Sequence, residues 1–170
     1  MVVDGPGTGR GREADAAVTA CAGAALAVLT ADCAPVALSS PDGVVGIVHA
    51  GWKGLMAGVV EAAVSAMRAL GAGDVSAALG PCIHPHAYRF SANDLATVVS
   101  RFGAGVAARD DAGQPALDLP AAVGIALRRA DAVLVADAAT CTHCSPDHWS
   151  WRARADHGRQ ATVVWKPEAA

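Results

Sequence analysis

Three apolar runs follow one another early in the chain, at residues 25–30, 35–38 and 44–49, separated by the polar break Asp32-Cys33 and by the turn residues Pro41-Asp42-Gly43. Short runs rich in branched side chains between turn signals predict strands buried on at least one face. From Leu55 the period changes. Apolar residues recur at 55, 59, 62, 63, 66, 67 and 70, with Glu61, Ser65 and Arg68 opposite, which predicts one amphipathic helix over 55–70, ended by Gly71-Ala72-Gly73. A strand is expected at 75–79, running into Gly80-Pro81. Ser91-Ala92-Asn93-Asp94 has the form of a helix start, leading to Phe102, and Asp118-Leu119-Pro120 opens a further helix to Ala130 whose last turn carries Arg128 and Arg129. Residues 1–13 and 103–116 read as loop. Strands are expected at 133–136, 149–152 and 162–165. Strands and helices mix along the whole length, so the fold class is α/β or α+β in one domain over 1–170.

Composition narrows the function. The chain has 170 residues, 53% of them hydrophobic and 17% charged, enough for a full core and too apolar for a disordered tail. Thirteen basic against sixteen acidic side chains leave a net charge of −3, so no nucleic-acid partner is expected. The uncharged run 16–31 is shorter than the roughly 20 apolar residues of a membrane span, and the first residues lack the form of a signal peptide. With five cysteines, an odd number, the reading is a cytoplasmic protein with free thiols and no membrane association.

Chemistry concentrates in a few segments. In Val48-His49-Ala50-Gly51-Trp52-Lys53-Gly54 a strand gives way to a helix. Gly51 and Gly54 permit close backbone approach, helix N–H groups point back, and Lys53 adds positive charge, which together suit phosphate or carboxylate. His49 stands beside them as a base or a metal ligand; a tight turn with a hydrogen-bonded His is the plain alternative. Thr30-Ala31-Asp32-Cys33-Ala34-Pro35 puts polar groups between two core runs. Cys33 is there a thiolate ligand, a nucleophile with His49 as neighbour, or a small buried thiol. Cys82, His84 and His86 fall within five residues, and Cys141-Thr142-His143-Cys144 is a single CxxC followed by His148. One CxxC falls short of the two pairs usual in structural zinc sites, so His84, His86, His143 and Cys144 read as exposed loop residues. Trp149, Trp151, Arg152 and Arg159 near the C-terminus suit stacking and phosphate binding, or line one strand face.

Taken in order, TADCAP at 30–35, HAGWKG at 49–54, GPCI at 80–83, CT at 141–142, and SWRA with GRQ at 150–153 and 158–160 resemble the laccase-domain family, also called the polyphenol oxidase family, from the acidic segment at Glu13-Ala14-Asp15 to Trp165. The resemblance implies a sandwich of two β-layers flanked by helices, the cytotoxic necrotizing factor-like fold. It implies purine nucleoside phosphorylase activity on adenosine, inosine or methylthioadenosine, with accompanying zinc-dependent adenosine deaminase activity. Cys33 and His49 would hold zinc (copper in older accounts) in a pocket often formed at a subunit interface, which makes a homo-oligomer the expected assembly. Asp32, Gly51, Trp52, Lys53, Gly54, Arg152 and Arg159 would bind phosphate and nucleoside. The family's third ligand belongs to a Gln-Val-His-Gly motif upstream of the acidic segment. This sequence has no such motif, so it is expected to be N-terminally short, to leave a sheet edge open, and to hold two of three ligands unless His84, His86 or His157 completes the set. Three other readings are carried: a metal-independent Cys–His hydrolase acting in peptidoglycan precursor editing, a copper-dependent phenol oxidase, and an inactive binding domain.

Overall fold

The computed structural model describes residues 1–168. Its strands are β1 Ala16–Thr19, β2 Ala25–Thr30, β3 Ala34–Ser39, β4 Val45–Ala50, β5 Val75–Leu79, β6 Ala107–Arg109, β7 Pro115–Leu117, β8 Ala132–Asp137 and β9 Gln160–Trp165. The helices are α1 Trp52–Ala57, α2 Val59–Ala69, α3 Ala92–Phe102, α4 Leu119–Arg129 and α5 Trp151–Arg154. A five-stranded sheet in the order β1-β4-β3-β5-β8 is antiparallel except for the last pair, β5 with β8. The helices α2 and α4 cover one face, and the antiparallel ribbon β2–β9 packs on the other against β3 and β4. This is the expected sandwich of two β-layers with helices outside.

Two apolar clusters follow from that layering. Val48, Ala50, Val60, Val64, Met67, Val123 and Leu127 belong to the larger cluster, on the helix side. Leu26, Val28 and Ile47 belong to the smaller one, under the ribbon. Alternation along β4 therefore sends Ile47 to the ribbon and Val48 to the helices, which fixes the direction of His49 as well.

The structure corrects several expected elements. The helix expected over 55–70 begins earlier, at Trp52, and is broken at Gly58, which has φ +82° and ψ +32° and caps α1 while starting α2. The apolar period survives the break, so the sequence pattern did not register it. A side chain at this left-handed position is strained, and Gly58→Ala is expected to lower the unfolding free energy by about 1–2 kcal/mol, read as a shifted urea midpoint at unchanged slope. Residues 103–116 are not plain loop: a 3-10 turn is followed by the β6–β7 hairpin. Residues 149–152 are not a strand, because Ser150 accepts a hydrogen bond from Ala153 N and caps α5. The strand β1 gave no signal, being two alanines, a valine and a threonine whose pairing with β4 supplies the burial. Its outer edge is not bare: Val3 N donates to Val18 O, and Val18 N to Met1 O, both at 2.9 Å. The caps at Ser91 and Asp118 form as expected. No helix among the described residues is long and apolar enough to cross a membrane.

Candidate active site

The hydrogen-bond ladder assembles the site. Pairing of β3 with β4 sets Ala34 opposite Ala50 and Pro35 opposite His49, and pairing of β1 with β4 sets Ala16 opposite Val48. Continued by one residue, these registers put Cys33 opposite Gly51 and Asp15 opposite His49. Residues facing each other, or two apart on one strand, share a face. Asp15, Cys33, His49 and Gly51 therefore meet on the ribbon side at one end of the sheet, just where β2 stops. Gly51 has to be small here, since a Cβ would stand 3.1 Å from Cys33 Sγ and 4.0 Å from His49 Nε2.

His49 Nδ1 lies 3.0 Å from Asp15 Oδ1. An ionised carboxylate only accepts, so Nδ1 carries the proton and Nε2 faces Cys33. The hydrogen bond to Cys33, followed by that to Asp15, outweighs desolvation and raises the His49 pKa from 6.5 to about 9. A folded-state pKa above the unfolded value means that protonation favours folding. This contribution is complete below about 6.5 and is lost as pH rises through about 9. In metal-free protein the imidazole resonances should titrate near the upper value, Asp15→Asn should bring the midpoint down, and His49→Gln should flatten the dependence of unfolding midpoints on pH across that window.

Two cavities meet at this pair. One, of about 260 Å³, is lined by Asp15, Cys33, His49, Gly51, Trp52, Lys53 and Gly54. The other, of about 360 Å³, is lined by Leu29, Thr30, Ala31, Cys33, His49, Trp151 and Arg159. The Thr30 hydroxyl, buried beside the second, has no hydrogen-bond partner. A wider concavity, about 940 Å³, lies between the N-terminal segment and β2, and no His, Cys or carboxylate lines it.

Family membership follows from a match along almost the whole chain. The family described as multi-copper polyphenol oxidoreductase laccase matches residues 1–167. The chain belongs to this family. Among curated relatives, a purine nucleoside phosphorylase of Streptomyces coelicolor is 43% identical over 154 residues, covering 89% of this chain and 63% of its own length. One of Xylella fastidiosa is 40% identical over 159 residues, covering 89% and 60%. This laccase-family chain thus spans somewhat under two thirds of those relatives. Among solved structures, Neisseria meningitidis protein NMB0706 superposes with a TM-score of 0.85 at 28% identity, over 98% of this chain and 71% of that one. YlmD from Geobacillus stearothermophilus gives 0.79 at 28%, over 91% and 61%.

Seven of the residues that the laccase-family resemblance singled out, Cys33, His49, Gly51, Trp52, Lys53, Gly54 and Arg159, line the two cavities. Two do not. Asp32 is buried with its carboxylate turned inward, accepting from Thr142 Oγ1 at 2.8 Å, Ser150 Oγ at 2.7 Å and Arg152 N at 2.7 Å. Arg152 lays its guanidinium over Tyr88, 5.1 Å from the ring centroid, and donates to Arg89 O. Asp15, the partner of His49, was not singled out, although the acidic segment before β1 was its signal.

The family name implies a metal, and the donors at this junction are few. Cys33 Sγ and His49 Nε2 are two, with Asp15 orienting the imidazole as carboxylates do behind metal-bound histidines. A catalytic zinc takes three protein ligands, and His84, His86 and His157 form no group with this pair among the described residues. The pair alone therefore does not fit the ion. Elsewhere, the ligand atoms of His86, Cys141 and Cys144 lie within 4.8 Å of one another, a spacing that can hold a metal ion. Of the three, His86 and Cys144 are residues whose sequence context predicts exposed loop.

Proposed function

We propose that the Cys33–His49 site performs phosphorolysis of a purine nucleoside, releasing free base and ribose 1-phosphate. The observation that carries this reading is that the two cavities meeting at Cys33 and His49 each offer one cation and one indole, Lys53 with Trp52 and Arg159 with Trp151. Such a pair of subsites suits two substrates that react at the junction. The naming of the curated relatives as purine nucleoside phosphorylases supports it.

Phosphate is assigned to the smaller cavity, where the Lys53 ammonium and the open backbone beside Gly51 neutralise and admit it. Trp52 stands edge-on to Phe90 at 5.4 Å and walls this cavity. The nucleoside takes the larger one, its base on the exposed Trp151 indole and a polar atom on the unpartnered Thr30 hydroxyl. A phosphate oxygen attacks the anomeric carbon, the bond to the base nitrogen breaks with its electron pair going to the purine, and the departing purine takes a proton from His49. With its pKa raised to about 9, His49 holds that proton at neutral pH. Cys33 and Asp15 orient the imidazole.

The test is release of base from inosine and adenosine with and without phosphate, alongside conversion of adenosine to inosine for the accompanying deamination. Base release that requires phosphate is expected, and Lys53→Ala should raise the KM for phosphate by about 10–100-fold, the loss of one charge-assisted contact. Base release that ignores phosphate, or none at all, would overturn the reading. A second reading has one observation of its own: Asp15, His49 and Cys33 are linked in the order of a thiol-hydrolase triad. Amide cleavage without phosphate, with Cys33 trapped by an alkylating substrate analogue, would favour it.

A further inference from the structure

A second cluster of reactive side chains stands apart from the Cys33–His49 junction. Beyond the parallel pair β5–β8, the two strands continue side by side as far as Cys82 and Cys141, with Cys82 N donating to Thr140 O at 3.2 Å and Thr142 N to Cys82 O at 3.0 Å. The chain then turns on both sides. On one, Pro85–Ala87 forms a 3-10 turn that carries His86. On the other, Cys144 N and Ser145 N both donate to Cys141 O, a tight turn that folds the CxxC back on itself. The result is His86 Nε2 at 3.1 Å from Cys144 Sγ, with the Cys141 sulfur in the same 4.8 Å group.

Two thiols and an imidazole are a soft donor set, which selects zinc over the hard cations. In a tetrahedral site with bonds of about 2.0–2.3 Å, donors stand roughly 3.3–3.8 Å apart, so small side-chain adjustments close the cluster around an ion. None of the three cysteines here, at 82, 141 and 144, is in a disulfide. The site is reachable: Cys144 is exposed and Cys141 and His86 are partly so, whereas the neighbouring Cys82 is buried and its sulfur lies outside the 4.8 Å group. Asp111 N donates to His86 O at 3.0 Å and holds this turn, and water fills the remaining corner of a tetrahedral ion.

We propose that His86, Cys141 and Cys144 form a zinc site, separate from the Cys33–His49 junction, that ties the loop after β5 to the loop after β8. Binding displaces the two thiol protons to solvent and leaves both sulfurs as thiolates on the ion. The tie has a target. Thr142, next to Cys141, donates to the Asp32 carboxylate, and Ile83 N in the other loop donates to Asp32 O at 2.9 Å. Both loops so joined grip the residue that precedes Cys33. The inference does not depend on which reaction occurs at Cys33.

The test uses the whole chain, kept reduced, in a Cys33→Ala background that removes the other soft donor. Loaded with cobalt(II) as the probe, this protein should show a thiolate-to-metal charge-transfer band and the intense visible bands of tetrahedral cobalt. Zinc should displace the cobalt, with about one equivalent retained through gel filtration. Cys144→Ser, Cys141→Ser and His86→Ala should each lose the retained equivalent, with far-ultraviolet circular dichroism confirming that each variant folds. Zinc should raise the thermal midpoint of the Cys33→Ala protein and leave that of the Cys141→Ser/Cys144→Ser double variant in the same background unmoved. Absence of the charge-transfer band in the Cys33→Ala protein would overturn the proposal, as would its persistence in Cys144→Ser. A Cys141–Cys144 disulfide in the purified protein whose reduced form takes up no zinc would also overturn it.

Discussion

Asp32→Ala is expected to lower the unfolding free energy by about 3–4 kcal/mol, and the thermal midpoint by roughly 6–16 °C for a domain of this size. The expectation rests on what the carboxylate holds. It accepts from two hydroxyls and one backbone N–H that come from separate stretches, the CT turn at Thr142 and the cap at Ser150 with Arg152. Alanine would strand two buried hydroxyls and a half-buried backbone N–H at once. It would also have to adopt the backbone of Asp32, whose φ is +92°. Two controls separate these causes. Asp32→Gly relieves the backbone and keeps the stranded donors, so it should recover only about 1 kcal/mol relative to alanine. Asp32→Asn tolerates the left-handed backbone and keeps one acceptor oxygen, but turns an amide donor toward a donor, and should fall between the wild type and alanine. Denaturant unfolding of the three variants reads the order. If Asp32→Gly restored full stability, backbone strain and not the hydrogen bonds would be the cause.

Cys33→Ala and His49→Ala are expected to reduce turnover by about 10²–10⁴-fold, because both side chains are only partly buried and face the cavities. The pattern of loss distinguishes their roles. Under phosphorolysis, His49→Ala should be the more damaging, since it removes the proton that goes to the leaving purine. Its rate should improve with bases that leave without protonation, a correction that Cys33→Ala does not need. In a thiol hydrolase Cys33→Ala would abolish all turnover, and no choice of leaving group would restore it. Asp15→Asn leaves both reacting groups in place and is expected to cost about 10–100-fold, the usual effect of removing a carboxylate behind a working histidine. Steady-state rates with a series of purine and pyridine leaving groups provide the measurement. Equal loss in all three variants at every leaving group would mean that the trio acts as one unit.

The strands at 25–30, 35–38, 44–49 and 75–79 were legible because each buries an alternating or continuous apolar run, and the helices at 92–102 and 119–129 because their first residues carry capping side chains. What escaped depended on tertiary pairing. The β1 residues are too small to announce a strand, and the Gly58 break leaves the helical period intact. The aromatic pair Trp149 and Trp151 mimics a strand face while Ser150 is spent as a cap. At the site, Cys33 and His49 were visible as polar groups inside core runs. The family resemblance implied a ligand-binding role for Asp32, and only its three partners, all more than a hundred residues away, show its carboxylate to be an anchor. The metal-capable cluster was under-read because half of it is one CxxC. Its histidine lies 58 residues from Cys144 in the chain, a separation that no local spacing rule can bridge.

The ladder that brings Cys33, His49 and Asp15 together makes the site a matter of parity. Opposed positions in β3 and β4 are tied by the pairs Ala34 with Ala50 and Pro35 with His49, and the valines at 36 and 48 lock that alignment from the helix side. Deleting one residue inside either strand would leave the composition of the core almost untouched and yet turn Cys33 to the opposite side of the sheet from His49. Deleting two would restore the side. Along this stretch the chain behaves like a text with a reading frame of two: substitutions retune the chemistry, while a single missing letter erases it.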